Sequence, residues 1–118
     1  MPRLTSSFFV AQLVRRVNGS GGFAAILKKG ADEAGALHIA VRSRHGKLRF
    51  YRPALQMSYD DETTGGRLFQ LDPSIADDIA LSAFVEKEQR FDPDFWVVEL
   101  ETQSDSAELP FEDRKSVV

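Results

Sequence analysis

The strongest indication of the fold of this 118-residue chain is the stretch ALHIAVRSRHGKLRFYRP, residues 36–53. Apolar and other side chains alternate on both sides of a turn at His45-Gly46, which is the pattern of two antiparallel strands joined as a hairpin. Pro53 ends the second strand because proline lacks the amide hydrogen that a paired strand needs. The apolar residues of this hairpin, which we expect to share one face, are Leu37, Ile39, Val41, Leu48 and Phe50.

Further strands are predicted on both sides of the hairpin. Residues 23–28 form one before it, and weaker runs at 55–59 and 67–71 follow it, separated by the acidic turn at 60–66. The final strand, residues 95–101, alternates large apolar side chains with carboxylates. One face of this final strand carries Trp96, Val98 and Leu100.

A helix is predicted before the first strand. It begins near Thr5, whose hydroxyl can accept a hydrogen bond from a free amide of the first turn, and it ends at Asn18-Gly19. Apolar residues recur along it at the spacing of one helical face. They are Val10, Leu13, Val14 and Val17.

A second helix is predicted between the weak strands and the final strand. Asp72 can serve as its N-cap, Pro73 suits the first helical position, and Asp92-Pro93 ends it. The sequence therefore predicts an α+β fold in residues 1–101: a single domain with a mainly antiparallel sheet of about five strands, on which both helices pack.

Residues 102–118 are polar apart from the apolar island Leu109-Pro110-Phe111. We expect them to form a flexible tail, which could fold back over the domain or present the island to a partner.

The composition excludes several classes of protein. The chain has no cysteine, so it holds no disulfide, thiolate metal site or cysteine nucleophile. Its longest unbroken apolar run, residues 23–27, is far short of a membrane span, and no signal peptide pattern precedes it. We therefore expect a soluble, cytoplasmic protein without a membrane partner.

Charge is segregated along the chain behind a formal net charge of −3. Residues 1–53 carry ten basic and two acidic side chains, a balance of +8, whereas residues 54–118 carry five basic and sixteen acidic ones, a balance of −11. Such asymmetry either marks a surface for a partner or is neutralised within the fold.

The hairpin concentrates the positive charge. If His45-Gly46 is a two-residue loop, Arg44 lies opposite Lys47 and Arg42 lies opposite Arg49, on the face away from the apolar side chains. Like charges in opposite positions repel, so a negative group is expected nearby.

Two sources of negative charge are considered. The favoured one is internal, because Glu99 and Glu101 share a strand face and could lie beside the hairpin together with the acidic tail. The other is external, a nucleic acid or another polyanion, with Tyr51 available for stacking.

The sequence offers few groups for catalysis. His38 and His45 are the only histidines and lack the spacing of metal ligands, so we expect no metal and no cofactor. The acidic groups could act as acid and base, or chelate a hard cation, only if the fold brought two of them together. These groups are Asp60 to Glu62, Asp77 with Asp78, Asp92 with Asp94, and Glu99 with Glu101.

Three parts of the chain resemble a known family. They are RLTS at residues 3–6, GFAA at 22–25 and, most specifically, FDPDFWVVE at 91–99. Across residues 3–101 the chain is similar to the domain of unknown function 1491 family, short bacterial proteins familiar from alphaproteobacteria. The resemblance implies a bacterial, cytoplasmic protein and brings no activity, cofactor or catalytic residue with it. It singles out one candidate functional segment, which contains Asp92, Asp94, Trp96, Glu99 and Glu101.

Three functional hypotheses follow. The favoured one is a small non-catalytic binding or adaptor module that contacts another protein. The second is binding of nucleic acid or another polyanion through Arg42, Arg44, Lys47, Arg49 and Tyr51. The third is a carboxylate-based enzyme.

Overall fold

Two helices and five strands make up the part of the chain that the computed structural model describes, namely residues 4–54, 67–102, 109–111 and 113. The predicted strand at 55–59 and the acidic turn at 60–66 lie outside these residues. In chain order the elements are α1 (Ser6–Gly19), β1 (Phe23–Lys28), β2 (Leu37–Arg42), β3 (Leu48–Pro53), β4 (Phe69–Leu71), α2 (Asp78–Phe91) and β5 (Trp96–Glu101).

The five strands form one mixed sheet in the order β1-β5-β2-β3-β4. Three of the four pairings are antiparallel, and the fourth, between β2 and β5, is parallel. The last strand of the chain thus lies between the first two. This arrangement confirms the predicted α+β class and the mainly antiparallel sheet.

Helices cover both faces of the sheet, so its central strands are buried on two sides. On one face α1 places Val10, Leu13 and Val17 over a cluster that includes Ile39 and Leu100. The opposite face carries a second cluster, packed with Leu81 and Phe84 of α2. The second cluster also contains Ala40, Leu48, Phe50, Phe95 and Val97.

The hairpin has a different register from the predicted one. The β2–β3 turn contains three residues, because Gly46 adopts a positive φ of 83° and extends the turn by one position. Arg42 therefore pairs with Leu48, and Arg49 with Val41. Since one residue of slip reverses the face of every side chain, the predicted pairing of Arg42 with Arg49 is wrong.

The shifted register also divides the apolar side chains of the hairpin between the two faces. Leu37, Ile39 and Val41 pack under α1, whereas Leu48 and Phe50 pack under α2. The expectation that all five share one face is wrong. Both sets are nevertheless buried, because each face of the sheet has its own helix.

The second helix begins later than predicted. Asp72 accepts hydrogen bonds from the backbone amide and the hydroxyl of Ser74, so it closes a local turn rather than capping a helix. α2 begins at Asp78, and its N-cap is Asp77, which accepts from the amide of Ala80. The turn at residues 72–75 buries Ile75 in the cluster under α2.

The apolar island of the C-terminal segment folds back over the domain, one of the two arrangements considered above. Phe111 is buried against the rings of Tyr51 and Phe69, with centroids 5.0 and 5.2 Å away. Asp113 forms an isolated bridge to Phe69 on β4. The described residues of this segment therefore cover part of the β4 edge of the sheet.

The loop at residues 29–36, called the β1–β2 loop below, lies against the start of β5. Its Ala31 donates its amide to the carbonyl of Asp94 at 2.9 Å and accepts the indole N–H of Trp96 at 2.8 Å. Gly30 permits this approach, because a Cβ there would lie 2.6 Å from the Trp96 ring and closer still to the Asp94 carbonyl oxygen.

We expect Gly30→Ala to destabilise the protein by about 2–3 kcal/mol, because an added methyl group must displace the backbone at Asp94 and Phe95. Urea denaturation measures the loss. The matched control is Gly19→Ala, since a Cβ at Gly19 meets no atom within 4 Å. Equal stability of the two variants would contradict this close packing.

Candidate functional site

Arg42 is neutralised within the fold. Its Nε donates to Glu99 at 2.9 Å, and its Nη atoms pair with Asp78 at the start of α2. The hydrogen bonds that Arg42 donates to Asp78, together with the charge of Glu99, raise the pKa of the Arg42 guanidinium above its ordinary value. Glu99 thus supplies negative charge from within the fold, which is the source that the sequence favoured.

The other hairpin residues do not join Arg42 in one basic face. Arg49 lies on the opposite face of the sheet, and Arg44 and Lys47 are exposed at the tip of the turn. Tyr51 is 2% exposed and packs against Phe111, so its ring is not available for stacking on a base. Among the described residues, these hairpin side chains therefore do not share one continuous basic face.

The candidate segment at residues 92–101 makes structural contacts. Asp92 accepts from the amide of Asp94, and Trp96 is buried under α1 with its indole bonded to Ala31. Glu99 is used by Arg42, whereas Glu101 is exposed at the end of β5. The predicted alternation is confirmed, because Trp96, Val98 and Leu100 share the face under α1.

Two of the predicted carboxylate groups meet around Arg42, which pairs with both Asp78 and Glu99 and so neutralises them. Asp77 caps α2, Asp78 pairs with Arg42, and Asp94 is exposed beside the β1–β2 loop. Among the described residues, no three His, Asp or Glu side chains lie close enough to hold a metal ion. The group at 60–62 lies outside the described residues.

The free edge of β1 exposes apolar side chains. Phe23, Ile26 and Leu27 are 54%, 48% and 50% exposed, although they belong to a strand of the sheet. Among the described residues, β1 pairs with β5 alone. This surface of Phe23, Ile26 and Leu27, called the β1 edge below, contrasts with the β4 edge, which Phe111 and Asp113 partly cover.

Lys28 does not protect the β1 edge with its charge. Natural edge strands are commonly guarded by an exposed lysine. Here the ammonium of Lys28 turns inward, donates to the carbonyls of Pro93 and Phe95 at 2.7 and 2.9 Å, and lies 4.3 Å from the centre of the Phe95 ring. A bulge after Ile26 brings Lys28 to this position.

The backbone of Ile26 is oriented outward. The amide of Ala24 donates to the side chain of Asn18 rather than to β5. Since hydrogen-bonding direction alternates along a strand, Ile26 also directs its N–H and C=O away from β5. The β1 edge therefore combines apolar side chains with outward backbone donors and acceptors.

Away from the β1 edge, a cleft lies between the C-terminal half of α2 and the strands β2, β3 and β4. This cleft has a volume of about 460 Å³. Arg52 crosses it, pairing with Asp72 at 3.3 Å and lying 5.0 Å from the centre of the Phe84 ring. Its lining includes Ala36, His38, Arg52, Asp72, Glu88 and Asp92.

His38 is the most deeply buried polar group of this cleft, at 4% exposure. Its ring stacks on Phe50 and meets the rings of Phe84 and Phe95, with centroids 5.1 to 5.7 Å away. Its Nδ1 lies 3.3 Å from the carbonyl oxygen of Trp96 and must donate to it, since a carbonyl only accepts. Burial lowers the pKa of His38 to about 4, so the ring is neutral.

Neither the β1 edge nor the cleft is predicted by a local pattern in the sequence. A continuous apolar run at residues 23–27 predicts a strand buried on both faces, whereas β1 lies at an edge that the sequence does not reveal. The cleft combines residues from three strands and α2, and no spacing in the chain links them.

Neither of the two described helices has the length and apolar composition of a membrane span.

We expect His38 to make the protein sensitive to acid. Its folded pKa of about 4 lies below the ordinary 6.5, so the unfolded chain binds its proton first as the pH falls. The contribution of the neutral His38 ring to the free energy of unfolding is complete above pH 6.5. It is lost as the pH falls toward 4. Between pH 7 and pH 4 the wild-type protein should lose about 3 kcal/mol of unfolding free energy through His38. The variant His38→Gln should not show this loss.

Urea denaturation at each pH measures this difference, and His45→Gln at the exposed turn is the matched control. An NMR titration of the His38 ring in the wild-type protein gives the pKa directly. A ring that titrates near 6.5 would contradict the assignment, whatever the variants do.

Comparison with known proteins places the chain in a family. The model of DUF1491, a protein of unknown function, matches residues 4–109. A solution structure of protein Atu0922 from A. tumefaciens is 41% identical, covers 98% of this chain and 99% of its own, and superposes with a TM-score of 0.76.

A crystal structure of a DUF1491 family protein from Caulobacter crescentus is 28% identical, with 94% of this chain and 98% of that chain covered and a TM-score of 0.75. An NMR structure of a DUF1491 family protein from the same bacterium is 30% identical, with 95% and 97% covered and a TM-score of 0.73. No curated protein matches. With the family model spanning nearly all of its described residues, the chain belongs to the DUF1491 family.

Proposed function

We propose that this protein is a small non-catalytic binding module and that it contacts another protein through the β1 edge. The partner supplies an extended apolar segment that adds a strand beside β1. The observation that carries this proposal is the half exposure of Phe23, Ile26 and Leu27 on a strand with one described neighbour. Exposed apolar strands of this kind are sites of strand addition.

Two features of the β1 edge support a strand as the bound element. Ile26 directs its backbone N–H and C=O outward, which gives a partner strand hydrogen bonds independent of its sequence. The apolar side chains on either side then provide contact area for alternate residues of the partner. Lys28 is held by the carbonyls of Pro93 and Phe95, so no charge must be displaced when the strand docks.

The bulge after Ile26 limits the length of the docked segment. Regular pairing geometry extends from Phe23 to Ile26, and the register of β1 shifts before Lys28. Because Asn18 already holds the outward amide of Ala24, only a short partner segment centred on Ile26 fits, which predicts a modest affinity unless flanking contacts add to it. Binding of this strength is typical of regulatory and adaptor contacts.

The test is selection of binding peptides from a random library displayed on phage, with the full chain as bait. We expect selected peptides to be extended and apolar, and to lose affinity about tenfold or more on Ile26→Lys. Leu71→Lys on β4 is the matched control, because Leu71 is 40% exposed and belongs to the strand at the opposite end of the sheet from β1. Circular dichroism checks that both variants fold.

Hydrogen exchange locates the bound peptide. The Ile26 amide should exchange rapidly in the free protein and become protected in the complex. Peptides that bind Ile26→Lys as well as the wild type would contradict the proposal. So would a concentration-dependent dimer that protects the same amide, because the partner would then be a second copy of this chain.

A further inference from the structure

The cleft under the C-terminal half of α2 contains more hydrogen-bond acceptors than the protein itself uses. It lies on the α2 face of strands β2 to β4, away from the β1 edge, so it is independent of the proposed protein contact. The charged groups that the described residues contribute to it are three carboxylates and one guanidinium. The guanidinium of Arg52 is paired with Asp72, which leaves Glu88 and Asp92 in excess.

His38 directs one unused acceptor into this environment. Its Nδ1 hydrogen is given to the carbonyl of Trp96, so Nε2 of the neutral ring carries a lone pair. Nε2 has no hydrogen-bond partner among the described residues, although the side chain is 4% exposed. Its remaining contact with solvent is through the cleft that the ring lines.

The two carboxylates of α2 are also incompletely used. Glu88 is half-buried, and its side chain has no hydrogen bond or ion pair among the described residues. Asp92, one helical turn later, uses one oxygen to accept from the amide of Asp94. Both carboxylates therefore have acceptor oxygens free to take charge-assisted hydrogen bonds from a bound cation.

These acceptors do not suit a metal ion. No three His, Asp or Glu side chains of the described residues lie close enough together to hold one. A larger cation, with several N–H groups fanned out in a plane, can reach acceptors that are separated in this way. A guanidinium has five such N–H donors, and carboxylates bind it with charge-assisted hydrogen bonds.

We propose that this cleft is a binding site for a guanidinium group, held by the carboxylates of Glu88 and Asp92 and by Nε2 of His38. The group is carried either by a small molecule or by an arginine side chain of a peptide. The paired Arg52 and Asp72 form one wall of the cleft. Because their charges cancel, Glu88 and Asp92 give the cleft its negative charge. Arg52 is also held by the Phe84 ring, whose centre lies 5.0 Å from its guanidinium.

The probe is ethylguanidinium, titrated into the ¹⁵N-labelled full chain at pH 7 and followed by amide NMR shifts. We expect saturable shifts confined to the cleft residues, with a Kd on the order of millimolar for so small a ligand. Ethylurea, a neutral molecule of the same shape, should cause no saturable shift. Glu88→Gln should weaken ethylguanidinium binding about fivefold or more, since it removes one charge and leaves the side-chain volume intact.

Glu86→Gln is the matched control, because Glu86 is exposed on the same helix and pairs with Arg90 outside the cleft. Its affinity should stay within about twofold of the wild type. A short peptide with one arginine separates the two sources: equal affinity to ethylguanidinium indicates a small molecule, and about tenfold tighter binding indicates a peptide.

Three results would overturn the proposal. They are equal shifts with ethylurea, shifts located away from the cleft, and unchanged binding by Glu88→Gln. His38→Phe, which keeps an aromatic ring at this position but lacks Nε2, gives an independent check. If it folds and binds ethylguanidinium as tightly as the wild type, His38 has no part in the site.

Discussion

The centre of the sheet is organised by the contact between the β1–β2 loop and the start of β5. Ala31 exchanges two hydrogen bonds with this part of the chain, one with the Asp94 carbonyl and one with the Trp96 indole. Gly30 and Gly35 both approach the Asp94 carbonyl so closely that neither has room for a side chain. This contact aligns the first residues of β2 and β5 and so begins the parallel pair at the centre of the sheet.

The same loop also fixes the first helix. The amides of Ser6 and Ser7 donate to the carbonyls of Glu33 and Asp32, and the hydroxyl of Ser6 donates to Gly35. These bonds satisfy amides of the first turn of α1 that have no partner within the helix. The most specific part of the family resemblance, FDPDFWVVE, therefore has a structural role, because it contributes Asp94 and Trp96 to this junction.

Burial of the sheet on both faces explains the fate of the segregated charge. β2 and β5 are central strands, so Arg42 and Glu99 lie on one face of neighbouring strands, beneath the first turn of α2. Their pairing neutralises one positive charge of the basic half of the chain with one negative charge of the acidic half. The remaining positive charge of the hairpin is split between its two faces and its exposed tip, which leaves the apolar β1 edge and the acceptor-rich cleft as the distinctive surfaces.

Much of the fold was predictable because its causes are local. Period-two alternation located β2, β3 and β5, and apolar spacing with a hydroxyl cap located α1. The errors arose where two local solutions compete. Gly46 suits both a two-residue and a three-residue turn, and Asp72 can cap a helix or close a turn with Ser74. In each case contacts with distant residues select between them, and a single sequence does not display these contacts.

Composition and periodicity were enough to predict the α+β class, the absence of cysteine chemistry and the face of β5 that carries Trp96, because both act over a few residues. Which strand lies at the edge of the sheet, and which acids meet Arg42, follows from the three-dimensional arrangement of the strands. It also decided that His38, Glu88 and Asp92 line one cleft. These properties depend on strand order, and strand order is set by packing between segments that lie far apart in the chain.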